Sequence, residues 1–167
     1  RSLPSMLGTF LVIVFSILTA MGLAGWLGMA LTPPSASSPP IILTLAVADC
    51  VHFLVTFLHA MRKGMDKHSA IVESLRINMQ PIFLTSLTTV IGFMSMNFSD
   101  APPFRDLGNI VAMGVAGAFV FSVTFLPALM AILPVRVKAA PGHHSGRMDR
   151  FAVFVVARQN SVFWISG

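Results

Sequence analysis

Three long stretches without Asp, Glu, Lys or Arg constrain the fold more than any other feature of the sequence. They cover residues 2–48, 77–99 and 107–135. A helix needs about 20 apolar residues to cross a hydrocarbon core of roughly 30 Å. The stretches are too long and too numerous for the buried helices of a soluble core or for one signal peptide. The sequence therefore predicts an all-α polytopic membrane helix bundle.

Prolines and charged segments divide these stretches into four complete transmembrane spans. Four prolines between Thr32 and Pro40 predict a short polar turn after the first span. Pro81 suits the opening turn of the third span, and Pro127 should kink or break the last turns of the fourth. The transmembrane bundle is predicted at residues 1–135, with spans at about residues 6–29, 41–61, 81–98 and 107–133.

The segments between and after the spans carry most of the charge. Asp66 is a plausible N-cap for an amphipathic helix at about residues 66–79, which would lie along the cytoplasmic membrane surface. A solvated connector is the alternative for this segment. Residues 136–158 are interpreted as a basic cytoplasmic linker, and residues 159–167 as the start of a truncated further span. The chain is therefore expected to be a fragment of a longer protein.

The charge distribution indicates membrane orientation. Only 10% of the 167 residues are charged, against about 25% in an ordinary soluble domain. The 11 Lys and Arg residues cluster between the apolar stretches, which does not favour a nucleic-acid-binding face. With four spans, all of them except Arg105 fall on one side. The positive-inside rule then predicts a cytoplasmic N-terminus.

One acidic residue, Asp49, lies near the middle of the second predicted span. Placing an ionised carboxylate there costs about 2.5 to 3.5 kcal/mol, so such residues often have a function. At 100° per residue, His52, Thr56 and His59 share its stripe of the helix. Asp49 can be interpreted as a proton carrier and His52 as its relay partner. The alternative is an aspartate that neighbouring groups hold for packing specificity.

A row of hydroxyl side chains along the third predicted span is the second candidate surface. In membrane helices such hydroxyls often bond to their own backbone carbonyls, so a single Thr is usually structural. Several on one face are a stronger signal, and we expect this face to lie against Asp49. The supporting polar face is predicted to comprise Thr56, Thr85, Thr88, Thr89, Ser95 and Asn109.

The sequence does not favour an enzyme. Asp49, His52 and His59 are possible metal ligands on one helix face, but no HExxH or GxSxG motif occurs, and only one aspartate lies in a span. Two adjacent histidines, His143 and His144, are more often solvated than metal-bound. We therefore predict neither a metal site nor a cofactor.

Three segments resemble the membrane half of resistance-nodulation-division (RND) exporters. They are PPIILTLAVADCVHFLVTF, the run from RKGMDKHSAIVESLRINMQ through PIFLTSLTTVIGFMSMNFSDAPPFRDLG, and LPALMAILP. Within that superfamily the chain is most similar to the hydrophobe and MMPL-type exporters, which are relatives of sterol-sensing domains. The resemblance covers about residues 1–136, and ESLRINMQPIFLTSLTTVIGF is its most specific part.

The resemblance implies twelve spans in two halves, of which this chain would hold about spans three to six. It further implies large extracytoplasmic porter domains, a bacterial inner-membrane location and export coupled to proton entry. The acidic residue of the fourth span corresponds here to Asp49. Many relatives have Gly four residues before that Asp, where this chain has Leu45, and His52 is not part of the superfamily pattern.

Two functions from different classes follow. The first is a fragment of a proton-driven exporter of hydrophobic or amphiphilic compounds. Its partners would be the bilayer, its substrate, protons, the missing second half and porter domains, and possible further copies of itself. The alternative is a non-transporting sterol- or lipid-sensing module, which would need no titrating carboxylate.

Overall fold

The computed structural model describes residues 3–133, and this part of the chain consists of helices and their connections, without a strand. The predicted linker and truncated span lie outside the described residues. Four helical segments are long and apolar enough to cross a membrane, which confirms the predicted four-span bundle. The five α-helices are α1 Leu3–Trp26, α2 Ser38–Arg62, α3 Lys67–Met94, α4 Pro102–Val123 and α5 Phe125–Ile132, and two short 3-10 helices occupy Ser35–Ser37 and Ser95–Phe98.

Helices α2 and α4 form the centre of the bundle. Each contacts the other and also packs against α1 and α3, which flank the central pair. Small side chains permit this close packing, because association of helices in lipid depends on van der Waals contact. A Cβ at Gly114 of α4 would collide with Ile42 of α2 and lie 3.2 Å from the Cβ of Ala20. Ala20, a small residue of α1, thus lies against Gly114 of α4.

Two glycines end the first two spans with the same hydrogen-bond pattern. Gly28 and Gly64 have φ values of 67° and 86°, which residues with a Cβ rarely adopt. After α1, Met29 N–H donates to the Ala24 carbonyl. Together with the bond from Gly28 N–H to the Gly25 carbonyl, this forms a Schellman motif, and the N–H groups of Gly64 and Met65 donate the equivalent bonds after α2. Both helices therefore stop where a left-handed residue allows the chain to reverse.

Asp66 is the N-cap of α3, as the sequence indicates. Its carboxylate accepts a hydrogen bond of 3.1 Å from the Ser69 backbone N–H. Hydrogen bonds from the Ser69 side chain and backbone hold the pKa of Asp66 below its ordinary value.

The prediction of two helices that meet at Pro81 is wrong. Helix α3 runs without interruption from Lys67 to Met94, with Pro81 inside it. Proline removes a single backbone hydrogen bond, and a membrane helix tolerates that loss where neighbouring helices hold it on both sides. Ser74 and Ile82 on either side of Pro81 are both buried. A separate surface helix is therefore absent from the described residues, and the segment 67–79 is the first part of the continuous helix α3.

Pro127 acts as predicted. The fourth span is divided at Thr124, three residues before Pro127, into α4 and α5. The side chain of Lys67 joins this region to the start of α3, because its Nζ donates to the Ala131 carbonyl at 2.6 Å and to the Leu133 carbonyl at 2.7 Å. A cation at the C-terminus of a helix stabilises the carbonyls that have no partner within the helix.

Candidate functional site

Asp49 lies near the middle of α2 and is 6% exposed. It does not point outward to lipid, because it sits where α2 packs against α3. The hydroxyl of Ser86 on α3 donates to Asp49 Oδ2 at 3.4 Å. A typical O–H···O bond is about 2.7 to 2.8 Å long, so this contact is weak and restrains the carboxylate only loosely.

A cavity of about 310 Å³ adjoins the carboxylate, at the junction of three helices. It is formed by α2 and α3 with Val115 of α4 at its base, and the exposed side chains of His52 and Thr85 stand at its opening. Liquid water occupies about 30 Å³ per molecule, so the space can admit several waters. The residues around it are Leu45, Ala48, Asp49, His52, Thr85, Ser86, Thr89 and Val115.

Asp49 is one of the residues that line this cavity, and its second carboxylate oxygen is not sealed inside the protein. Within residues 3–133, every fully buried side-chain nitrogen or oxygen has a hydrogen-bond partner. Among the residues that the structure describes, Ser86 alone donates a hydrogen bond to the Asp49 side chain, so the other carboxylate oxygen is accessible to water. A carboxylate with one oxygen on a protein neighbour and one on a wettable space can exchange a proton with that space.

The predicted relay partner His52 lies on the same cavity, one helical turn after Asp49. In the described part of the chain no hydrogen bond joins the two side chains. Thr56, one turn further, donates to the His52 carbonyl at 3.2 Å and does not line the cavity. His59 is exposed near the end of α2. The four residues predicted to share one side of α2 therefore lie along the edge of its buried face. Of these four, Asp49 is buried, whereas His52, Thr56 and His59 are partly or fully exposed.

The hydroxyl row of α3 is only partly directed at Asp49. Thr85 and Thr89 line the cavity, but each donates its hydroxyl proton to a backbone carbonyl one turn earlier in α3. Thr88 is exposed and bonds to the carbonyls of Leu84 and Thr85. Ser95 is also exposed and bonds to the Gly92 carbonyl.

Asn109 lies elsewhere in the bundle. It forms two reciprocal hydrogen bonds of 2.7 and 3.0 Å with Asn97 in the second 3-10 helix. Asn97 follows Ser86 by 11 residues, or about 16 Å at helical rise. Asn109 therefore holds the connection between α3 and α4 and does not support Asp49.

Sequence reasoning missed Ser86, which lies on the face of α3 that packs on α2, beside the predicted hydroxyl row. The face that packs on α2 carries a small or polar residue at four of five positions spaced four apart. Ser74 Oγ on this buried face donates to the Phe53 carbonyl of α2 at 2.7 Å. The signal was present in the sequence, since small and hydroxyl residues line helix contacts in membranes. The buried row consists of Ala70, Ser74, Asn78, Ile82 and Ser86.

The described residues do not gather metal ligands. Within residues 3–133 no group of three or more His, Cys, Asp or Glu side chains could hold a metal ion. The three residues considered for a metalloenzyme, Asp49, His52 and His59, therefore do not converge on one point. His143 and His144 lie outside the described residues.

The fold and this site define a polytopic helical membrane protein with a buried acid at a three-helix junction. The chain belongs to the MMPL family, whose model matches residues 1–162. This assignment agrees with the resemblance to MMPL-type RND exporters seen in the sequence.

Curated relatives of the chain are membrane and transport proteins. It is 32% identical to the hopanoid transporter HpnN of Rhodopseudomonas palustris over 153 residues, which are 87% of this chain and 17% of HpnN. It is 28% identical to a membrane protein of Methanocaldococcus jannaschii over 120 residues, 72% of this chain and 31% of that protein. Identity to the sulfolipid-1 exporter MmpL8 of Mycobacterium tuberculosis is also 28%, over 122 residues that make up 72% of this chain and 11% of MmpL8.

The chain thus spans between about a tenth and a third of the length of these relatives. No solved structure gives a significant match.

Proposed function

We propose that the chain is part of the membrane domain of an exporter of hydrophobic or amphiphilic compounds. Membership of the MMPL family supports transport, and two relatives are named as a hopanoid transporter and a sulfolipid exporter. Both names refer to lipids, which makes a lipid or a lipid-like molecule the best-supported class of cargo.

Proton entry through Asp49 is the proposed driving force. The observation that carries this proposal is a carboxylate that is buried between two helices, weakly held by Ser86 and open to a cavity. One charge that crosses 100 mV is worth about 2.3 kcal/mol, enough to shift a conformational equilibrium roughly fiftyfold. His52 at the cavity opening is placed to pass the proton on through water.

The open side of the cavity suggests how the site is completed. We propose that a second half of the transporter covers it, as in transporters built from two related repeats with a site between them. The same proposal includes porter domains and further copies of the protein as partners. It also includes a bacterial inner-membrane location with a cytoplasmic N-terminus. The marked excess of Lys and Arg on one side of the spans supports this orientation.

Substitution of Asp49 by Asn in the complete polypeptide tests the proposal. Asn has nearly the same shape but cannot bind and release a proton, so we expect loss of cargo export at unchanged expression and thermal stability. Export is measured in inside-out membrane vesicles with an imposed pH gradient. Asp100→Asn is the matched control, since Asp100 is exposed in the connection between α3 and α4.

Wild-type export by Asp49→Asn would contradict proton carriage at this residue. Lipid-dependent partner binding that persists in this variant and without a proton gradient would favour the sterol- or lipid-sensing alternative.

A further inference from the structure

A second groove lies on the outside of the bundle, and its lining residue Met79 precedes Thr85 of the Asp49 cavity by about 9 Å along α3. It has a volume of about 410 Å³ and runs between α3 and the break that separates α4 from α5. Leu75, Met79 and Val123 give it apolar walls, and Arg76 and Thr124 complete it. The Thr124 hydroxyl is already bonded to the Val120 carbonyl at 2.6 Å. Arg76 is therefore the principal polar group available to a ligand in this groove.

The position of Arg76 along α3 places it at a membrane boundary. No charged residue follows it until Asp100. The uncharged residues 77–98 span about 33 Å at helical rise, close to the roughly 30 Å of a hydrocarbon core. The guanidinium thus lies at the level of lipid headgroups, while the groove beside it continues towards the acyl chains.

Arg76 is free to bind an anion. In the described residues it has no hydrogen bond or ion pair, and it is exposed. The segment around it is basic, with four Lys or Arg against Asp66 and Glu73 in residues 62–76. Asp66 is occupied by the cap of α3, which leaves Glu73, one turn before Arg76, as the nearest competing acid on this helix.

We propose that this groove binds an anionic phospholipid of the surrounding bilayer. The planar guanidinium can hold a phosphate through two hydrogen bonds, and an acyl chain fits against Leu75, Met79 and Val123. Basic pockets between transmembrane helices select anionic headgroups in this way. A soluble anion would gain no binding free energy from the apolar walls. A lipid without net charge would gain less from the charge of Arg76 than an anionic lipid. The proposal depends on the membrane position of α3 and not on the proposed export function.

Native mass spectrometry of the delipidated complete polypeptide tests the site. The probes are phosphatidylglycerol and phosphatidylcholine with identical acyl chains. We expect wild-type protein to bind phosphatidylglycerol about tenfold more tightly, because the quaternary ammonium of phosphatidylcholine offsets the charge that its phosphate presents to Arg76. Arg76→Gln should abolish this preference. Arg62→Gln is the matched control, because Arg62 is exposed at the same end of the molecule but outside the groove.

A second variant tests the apolar part without touching the charge. Met79→Trp fills the groove, so it should weaken the binding of both lipids while Arg76 is retained. The proposal would be overturned if Arg76→Gln and Arg62→Gln bound phosphatidylglycerol with equal affinity. It would also be overturned if Met79→Trp bound both lipids with wild-type affinity. Displacement of phosphatidylglycerol by millimolar inorganic phosphate would show that the groove recognises a free anion, which also overturns it.

Discussion

At the scale of single residues, the buried acid and its serine partner define the site. Asp49 was identified from sequence because a carboxylate in a long apolar run is rare and costly. Its partner Ser86 was not, because serine is common in membrane helices and a helical wheel does not show which face is covered. The two are 37 positions apart in the chain, and only the packing of α3 on α2 brings them together.

The Ser86 hydroxyl provides the first test at this scale. Ser86→Ala removes the hydroxyl that donates to Asp49 Oδ2 and changes the side-chain volume little. Because the lost hydrogen bond is long and weak, we expect export to fall several-fold without being abolished. Initial rates of export in vesicles measure the effect. Thr88→Ala serves as the control, since Thr88 is exposed and bonded only to its own helix. A larger loss in Thr88→Ala than in Ser86→Ala would show that the predicted hydroxyl row, and not Ser86, serves the site.

At the scale of helices, the sequence predicts the number of spans better than their boundaries. Apolar length and missing charge identify four spans, since the cost of burying charge in lipid is large. The continuation of α3 through Pro81 could not be predicted from apolar length and charge. One lost backbone bond is a local penalty, whereas the packing of residues 70–86 on α2 is a tertiary effect that overrides it.

Close contact between α3 and α4 gives a test at this scale. A Cβ at Gly108 of α4 would collide with the Phe93 backbone carbonyl of α3, and backbone cannot move aside as a side-chain end can. We expect Gly108→Ala to destabilise the protein by about 1 to 3 kcal/mol through overpacking. Thermal unfolding in detergent measures this.

Gly117→Ala on the same helix is the control. Its nearest neighbour would be a methyl carbon of Thr19 at 3.7 Å, an ordinary contact, so we expect little change in stability. Equal melting temperatures for both variants would mean that α3 and α4 are further apart than the structure has them.

At the scale of the whole molecule, the proposed export function depends on the orientation of the four spans in the membrane. In four antiparallel spans, the connection between α1 and α2 lies opposite the connection between α2 and α3. From the positive-inside rule we propose that the second of these lies in the cytoplasm. Cargo, in contrast, could not be predicted from residue chemistry, because the exposed apolar side chains of the spans are of the kind that membrane helices generally present to lipid.

Labelling of single cysteines tests this topology. The natural Cys50 is buried in α2 and is first replaced by Ser. A cysteine at Ala36 should then react with a membrane-impermeant maleimide added to intact cells, whereas one at Lys63 should react only after lysis. Both positions are exposed, so access to reagent decides the result. Labelling of Lys63→Cys in intact cells would show that the orientation is opposite to the one proposed.

Proton flux through reconstituted protein tests the central claim most directly. The complete polypeptide is placed in liposomes with a trapped pH-sensitive dye, and cargo is added under an imposed membrane potential. We expect cargo-dependent acidification with the wild type and with Asp100→Asn, and none with Asp49→Asn. Cargo-dependent acidification by Asp49→Asn at the wild-type rate would contradict the assignment of Asp49 as the proton carrier.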